Sequence, residues 1–101
     1  MKSPAKYGEI NFIKIVVYTN NNAVTVTSGS YSAITLTKKT PTDDTTGYTF
    51  IGIADAYAGN LRLPITRFGS GFIYVMNPTN SSQTINANDI EVKQVFIKDV
   101  M

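Results

Sequence analysis

The segment GYTFIGIADAYAG, residues 47–59, is the longest apolar stretch of the chain and predicts a β-strand over Tyr48–Tyr57. With a period of two, this strand is apolar on both faces. Its faces carry Tyr48, Phe50, Ala54 and Ala56 on one side and Ile51, Ile53 and Tyr57 on the other. An outer strand of a small sandwich normally presents one polar face to water. The pattern therefore predicts a cover for the second face, supplied either by the chain itself or by another chain.

Two other segments share this pattern, whereas a third does not. GFIYVMN (71–77) and the predicted strand Ile10–Tyr18 are both apolar on each parity, but Tyr31–Thr37 alternates, with Ile34 and Leu36 inward and threonines outward. This asymmetry predicts that one sheet faces water and the other faces neighbouring subunits. The alternative is that a long polar loop, Lys38–Thr46, folds over the apolar face.

Short strands and turns fill the rest of the chain. Strands are predicted at Val24–Thr27, Gln83–Ile85 and Ile90–Lys98, and an edge strand at Leu61–Phe68, where Pro64 lacks an amide proton. Gly69–Gly71 is predicted to form a three-residue hairpin loop. The apolar parity changes within Ile90–Lys98, which predicts either a bulge near Lys93-Gln94 or burial first on one face and then on the other.

Length and composition fit one small all-β domain. The chain has 101 residues, with 13 Thr, 9 Asn and 7 Ser, residue types that favour strands and turns, and it shows no helical period. We expect a lead-in segment at residues 1–8 and a single domain at 9–101. The predicted fold is an antiparallel β-sandwich, jelly-roll-like, of about eight short strands with no substantial helix.

The composition also removes several classes of function. Without Cys or His, the chain forms no disulfide, no Ser-His-Asp or Cys-His triad and no zinc site of the usual ligands. The nine basic residues are scattered, which argues against nucleic-acid binding. No apolar run reaches the roughly 20 residues that span a bilayer, and no signal peptide is visible. We therefore expect no catalytic residues, no metal, no cofactor and no membrane insertion.

One group of side chains has the chemistry of a ligand site. Tyr57, Asn60 and Arg62 place an aromatic ring, an amide and a guanidinium around one strand end and its turn, and these groups suit contacts with saccharides. Asp55 lies in the same apolar strand. It is predicted to pair with Arg62 across the turn, the alternatives being a part in ligand binding or the catalytic acid of a small hydrolase.

The segments GYTFIGIADAYAGN (47–60), GSGFIYVMNPTNSSQTI (69–85) and IEVKQVFIK (90–98) carry a family resemblance. Together they resemble the C-terminal β-sandwich modules of bacteriophage tail and baseplate proteins, including receptor-binding head domains. The resemblance implies a homotrimer that binds a host-surface saccharide at a rim or subunit interface. It also implies a virion tail or extracellular location.

The expected function is thus a non-catalytic tail-fibre or baseplate-type domain that serves structure or saccharide attachment as an oligomer, with a trimer favoured. A monomeric carbohydrate-binding or surface module of a bacterial protein is the first alternative. A small carboxylate-dependent hydrolase using Asp55 is the second.

Overall fold

A computed structural model describes residues 12–99, and over that range the chain is all-β, with 57% of the residues in strands and no helix. The predicted lead-in at residues 1–8 and the start of the first predicted strand lie outside the described residues. The nine described strands are β1 (Ile13–Thr19), β2 (Val24–Val26), β3 (Tyr31–Thr35), β4 (Thr37–Lys38), β5 (Tyr48–Ala58), β6 (Ile65–Gly69), β7 (Phe72–Met76), β8 (Gln83–Ile85) and β9 (Ile90–Lys98).

The strands form three antiparallel sheets. A four-stranded sheet has the order β4-β1-β9-β5, a three-stranded sheet has the order β3-β7-β6, and β2 pairs with β8 in a two-stranded ribbon. The pairs β1–β9, β2–β8 and β3–β7 are nested, so the chain folds back on itself like one long rolled hairpin. This arrangement confirms the predicted antiparallel β-sandwich with its jelly-roll-like nesting.

One buried cluster joins all three sheets. Val16 and Val92 of the four-stranded sheet, Ile73 of the three-stranded sheet, and Val26 and Ile85 of the ribbon are all fully buried in it. Burial of an aliphatic side chain of this size contributes about 1.5–3 kcal/mol, so this shared core is the main source of stability.

The chain changes sheets at Leu36. The predicted strand Tyr31–Thr37 is two strands, because β3 belongs to the three-stranded sheet and β4 to the four-stranded sheet. Ile34 and Leu36 are both buried, as their spacing predicted.

Two bulges explain most of the two-faced pattern of β5. Its register against β9 shifts between Phe50 and Gly52 and again between Ile53 and Asp55, so Ile51 and Ala54 are extra residues. After each extra residue, the next core-facing side chain comes one position later than a period of two predicts. Five residues consequently face or pack against the core: Tyr48, Phe50, Ile53, Ala56 and Ala58. A strict period of two misassigns Ile53, because it does not count these insertions.

Neither predicted explanation for the change of apolar parity, a bulge in the strand or burial on alternate faces, holds within β9 itself. β9 pairs in unbroken register with β1, and Ile90, Val92, Gln94 and Phe96 are all buried on one face. The pattern misled because Gln94 is polar yet completely buried. The one bulge expected near Lys93-Gln94 lies directly opposite these residues on the neighbouring strand β5, where the register shifts between Ile53 and Asp55.

The β6–β7 hairpin is tighter than predicted. Gly69 pairs directly with Phe72, so the loop contains two residues, Ser70 and Gly71, rather than three. Gly71 has a φ of 79°, which glycine adopts without strain. β6 is an edge strand, as Pro64 predicted, but it begins only at Ile65 because the residues before Pro64 form a turn.

Buried side-chain amides fix the loops between the sheets. The Gln94 Nε2 donates to the Gly69 carbonyl at 2.7 Å, and its Oε1 accepts from the Gly71 amide at 3.1 Å, so β9 holds the β6–β7 hairpin across the sandwich. The Asn77 Nδ2 donates to the Val26 carbonyl at 2.8 Å. The Asn20 Oδ1 accepts from the Ile90 amide at 2.9 Å. Hydrogen bonds of this kind offset the cost of burying polar groups.

Candidate functional site

The predicted site lies where β5 ends in a tight turn. The turn is closed by the Arg62 amide, which donates to the Gly59 carbonyl at 3.0 Å. Gly59 has a φ of 81°, and a Cβ there would lie 2.9 Å from Cγ2 of Ile85 and 3.2 Å from Oδ2 of Asp89. Only glycine fits this close approach, so the turn holds the end of β5 against the ribbon.

Two of the four predicted residues come together as a stacked pair. The Arg62 guanidinium carbon lies 5.2 Å from the centroid of the Tyr57 ring, within the range of a cation–π contact. Arg62 has a φ of 55°, a left-handed conformation that is uncommon for residues other than glycine. The pair borders a cleft of about 310 Å³ that is also lined by Ala56, Ala58, Leu63 and Ile65.

The other two predicted residues do not line this cleft. The Asn60 backbone amide donates to the Asp89 carboxylate at 3.0 Å, so its clearest role is to anchor the turn. Asp55 is exposed, and its carboxylate accepts from the Ala56 amide at 2.9 Å. The predicted ion pair between Asp55 and Arg62 is not formed among the described residues, because Lys93 is the cross-strand neighbour of Asp55.

A second and larger cleft lies on the outer face of the three-stranded sheet, and sequence reasoning missed it. It has a volume of about 520 Å³ and is lined by Tyr31, Thr66, Arg67 and Tyr74. The Arg67 guanidinium carbon lies 5.3 Å from the centroid of the Tyr74 ring, and the Phe72 ring meets Tyr74 edge-on at 5.9 Å. We refer to these four lining residues as the aromatic cleft. The signal in the sequence was the outward parity of Tyr31 and Tyr74, opposite to that of the buried Ile34 on β3 and of Ile73 and Val75 on β7.

A bulge in β6 builds part of the aromatic cleft. The register against β7 shifts between Ile65 and Arg67, so Thr66 is an extra residue. Ile65 packs against the core, whereas both Thr66 and Arg67 are exposed beside Tyr74. Bulges commonly redirect side chains in this way next to binding sites.

A third surface feature is aliphatic. Ile13, Ile15, Ile51 and Ile97 lie on the outer side of the four-stranded sheet, and between 41% and 57% of each side chain is exposed. Ile13 pairs with Ile97 across β1 and β9, so the group is contiguous across the sheet. We refer to these four residues as the aliphatic patch.

The long polar loop at residues 39–47 leaves the aliphatic patch uncovered. The Lys14 ammonium donates to the Asp44 carbonyl and also lies 4.7 Å from the centroid of the Tyr48 ring. Lys14 pairs with Phe96, which is buried on the inner face, so the loop closes the end of the sandwich rather than its outer face.

Two described residues with shifted pKa values, Tyr18 and Asp44, lie at that closed end. The Thr46 amide donates to the Asp44 carboxylate at 2.9 Å and, with the Thr46 hydroxyl and the nearby Lys14 and Lys38, lowers the pKa of Asp44. Burial raises the pKa of Tyr18, and the charge of Asp43 adds to this effect. Neither group lines either cleft, so both act on stability rather than on a ligand.

The described residues contain no cluster of three or more acidic side chains that could hold a metal ion. Within residues 12–99 there is also no helix long and apolar enough to cross a membrane.

Comparisons with family models, curated proteins and solved structures gave no match for this chain.

Proposed function

We propose that this chain is a non-catalytic β-sandwich module that works as an oligomer, as a structural or host-attachment domain of a virion tail. The observation that carries the proposal is the aliphatic patch. The resemblance of the segments at 47–60, 69–85 and 90–98 to phage tail and baseplate modules supplies the virion setting and favours a trimer.

The aliphatic patch fits a contact with further copies of this chain. Its four isoleucines carry no charge or hydrogen-bonding group, so only another apolar surface removes them from water favourably. In a trimer, a patch that lies on the three-fold axis brings the same surface of each subunit together, and a patch of uniform chemistry complements itself there.

The edges of the four-stranded sheet offer a poorer route to association. β5 forms one edge of the four-stranded sheet, and its two bulges interrupt the row of backbone groups that another strand would need. The opposite edge, β4, is only two residues long. Face-to-face packing through the aliphatic patch is therefore the favoured contact.

Attachment to a saccharide is favoured by the stacked pair Tyr57–Arg62. A tyrosine ring supplies an apolar face and a hydroxyl, and the guanidinium supplies donors beside a cleft of about 310 Å³, which is within the size range of ligand sites. Repetition of such a site around an oligomer raises the overall affinity without a new contact. The same site would serve a monomeric carbohydrate-binding module, so the oligomeric state separates the two candidates.

A hydrolase that uses Asp55 is the least supported candidate. A catalytic acid usually lies in an apolar pocket, whereas Asp55 is exposed and accepts a hydrogen bond from the next residue. Its exposure supports the non-catalytic proposal.

The oligomeric state is tested by analytical ultracentrifugation of the full chain across a concentration series. We expect the wild type to sediment as an oligomer and the double variant I15K/I51K to sediment as a monomer. The matched control T25K/T84K adds the same charge on the exposed face of the ribbon and should remain oligomeric. A wild type that stays monomeric up to about 1 mM would overturn the proposal, since that concentration corresponds to only about 4 kcal/mol of association free energy.

The saccharide site is tested with a glycan array. We expect binding to be lost on Tyr57→Ala and on Arg62→Ala, with Lys93→Ala as a control on the same sheet outside the cleft. Unchanged binding by both cleft variants would place the glycan site elsewhere on the chain, and absence of glycan binding by the wild type would leave a purely structural role.

A further inference from the structure

The geometry points to a second ligand site in the aromatic cleft, selective for acidic saccharides. This inference goes beyond the proposed function, because it concerns the other sheet and requires neither the aliphatic patch nor the Tyr57–Arg62 pair.

The aromatic cleft presents two tyrosine rings and a hydroxyl to one space. Tyr31 is 61% exposed, and Tyr74 is held from one side by the Phe72 ring. Thr66 adds its hydroxyl at the bulge. A sugar ring has an apolar face of C–H groups and a rim of hydroxyls, so tyrosine rings with polar tips complement both parts.

The Arg67 guanidinium supplies the charge selectivity. Among residues 12–99 it has neither a carboxylate partner nor a side-chain hydrogen bond, and it lies over the Tyr74 ring. Within the part of the chain that the structure describes, no acidic residue lines the cleft. A guanidinium carries its N–H groups in one plane, and this geometry matches the two oxygens of a carboxylate.

The charge distribution favours an acidic saccharide over a nucleic acid. Bases also stack on tyrosine, but non-specific binding of single strands requires a positively charged groove that follows several phosphates. Of the described residues, Arg67 is the one basic residue that lines this cleft, and the net charge of the chain is only +2. A single guanidinium suits a ligand with one acidic group per binding unit.

The test uses the full chain on an array in which each uronic or sialic acid glycan is matched by its neutral counterpart. The tightest acidic glycan is then titrated by calorimetry at 0.15 M salt. We expect it to bind at least about tenfold more tightly than its neutral counterpart, because a hydrogen bond to a charged group raises the affinity by about this factor.

Four variants locate the binding. We expect Arg67→Ala and Tyr31→Ala each to lower the affinity for the acidic glycan by about ten- to a hundredfold. Arg67→Lys should recover only part of the affinity, because lysine keeps the charge but not the planar fork. Lys93→Ala, which removes a positive charge outside both clefts, should leave this affinity unchanged, and circular dichroism confirms that each variant is folded.

Several outcomes would overturn the inference. Equal retention of acidic and neutral glycans, retention of none, or unchanged affinity in Arg67→Ala would each do so. Tighter binding of oligodeoxythymidine than of any acidic glycan would indicate a nucleic-acid site instead. Loss of binding in Arg62→Ala but not in Arg67→Ala would support the Tyr57–Arg62 site and overturn this one, so the two proposals fail separately.

Discussion

The outer faces of the two main sheets are both apolar in part, but they differ in chemistry. The four-stranded sheet exposes four isoleucines, whereas the three-stranded sheet exposes tyrosines with a guanidinium stacked on one ring. Isoleucine has no polar group, so it gains only from a permanent apolar cover. Tyrosine and arginine keep hydrogen-bonding groups in water and suit a partner that binds and leaves. The exposed apolar area of this domain is thus of two kinds, one suited to a permanent contact and one suited to a ligand that dissociates, and the side-chain chemistry distinguishes them.

On the inner faces of the same sheets, the Gln94 side chain forms hydrogen bonds from one sheet to the other in addition to the shared core. The loss of this side chain should have the largest effect. We expect Gln94→Ala to lower the free energy of unfolding by about 3 kcal/mol, because it leaves the Gly69 carbonyl and the Gly71 amide without their partner and opens a cavity. Chemical denaturation monitored by circular dichroism measures this change.

The matched controls for this variant are Gln94→Met, which keeps the volume, and Gln83→Ala, whose amide bonds only to exposed hydroxyls. We expect an intermediate loss for the first and a loss under about 0.5 kcal/mol for the second. A loss under about 1 kcal/mol in Gln94→Ala would show that the two sheets hold together without this tie.

Adjacent residues of β1 test the contrast between core and patch. Val16 is fully buried and Ile15 is 53% exposed. We expect Val16→Ala to cost about 2 kcal/mol of unfolding free energy, and Ile15→Ala to cost under about 0.5 kcal/mol at concentrations where the chain is monomeric. At higher concentrations the wild-type melting temperature should rise with concentration, and Ile15→Ala should flatten that rise. Equal costs for the two variants in the monomer would mean that Ile15 is covered within the chain.

The sequence predicted the strands better than it predicted their faces. The predicted strands Phe72–Met76, Gln83–Ile85 and Ile90–Lys98 all match in their bounds. The predicted assignment of residues to inner and outer faces was wrong in parts of β5 and β9. Two bulges in β5 and the buried Gln94 in β9 break the period of two, and neither leaves a signal in the composition.

The candidate site was predictable in part for a related reason. Tyr57 and Arg62 lie five residues apart across a glycine turn, so local sequence brought them together. The aromatic cleft needs β3, β6 and β7 side by side, and such long-range pairing is not written in any one segment. Asp55 lost its predicted partner because the bulge before it sets it opposite Lys93.

The two stacked arginines offer a third test, in which glycine substitutions should diverge. Arg62 has a φ of 55°, so Arg62→Gly relieves a strained backbone and should leave the free energy of unfolding within about 0.5 kcal/mol of the wild type. Arg67 lies inside β6, where Arg67→Gly loses the cation–π contact and weakens the strand, a cost of about 1–2 kcal/mol. Thermal and chemical denaturation measure both variants. Equal losses would show that the strain at Arg62 is not relieved by glycine and that the two stacked pairs are equivalent in stability.

The smallest expected effect concerns the loop that closes the end of the sandwich and leaves the aliphatic patch open. The pKa of Asp44 lies below its usual value of 3.8, chiefly because the Thr46 amide donates to its carboxylate. A lowered folded-state pKa means that the charged form stabilises the fold above about pH 4 and that this contribution disappears as the pH falls through the lowered value. We therefore expect Asp44→Asn to be slightly less stable than the wild type at pH 7, with the difference shrinking as the pH falls below about 4. Denaturation across this range measures the difference, and Thr42→Ala in the same loop should show an offset that does not change with pH. If sedimentation at pH 7 also changed in Asp44→Asn, the loop would be part of the subunit contact, and the aliphatic patch would no longer account for association on its own.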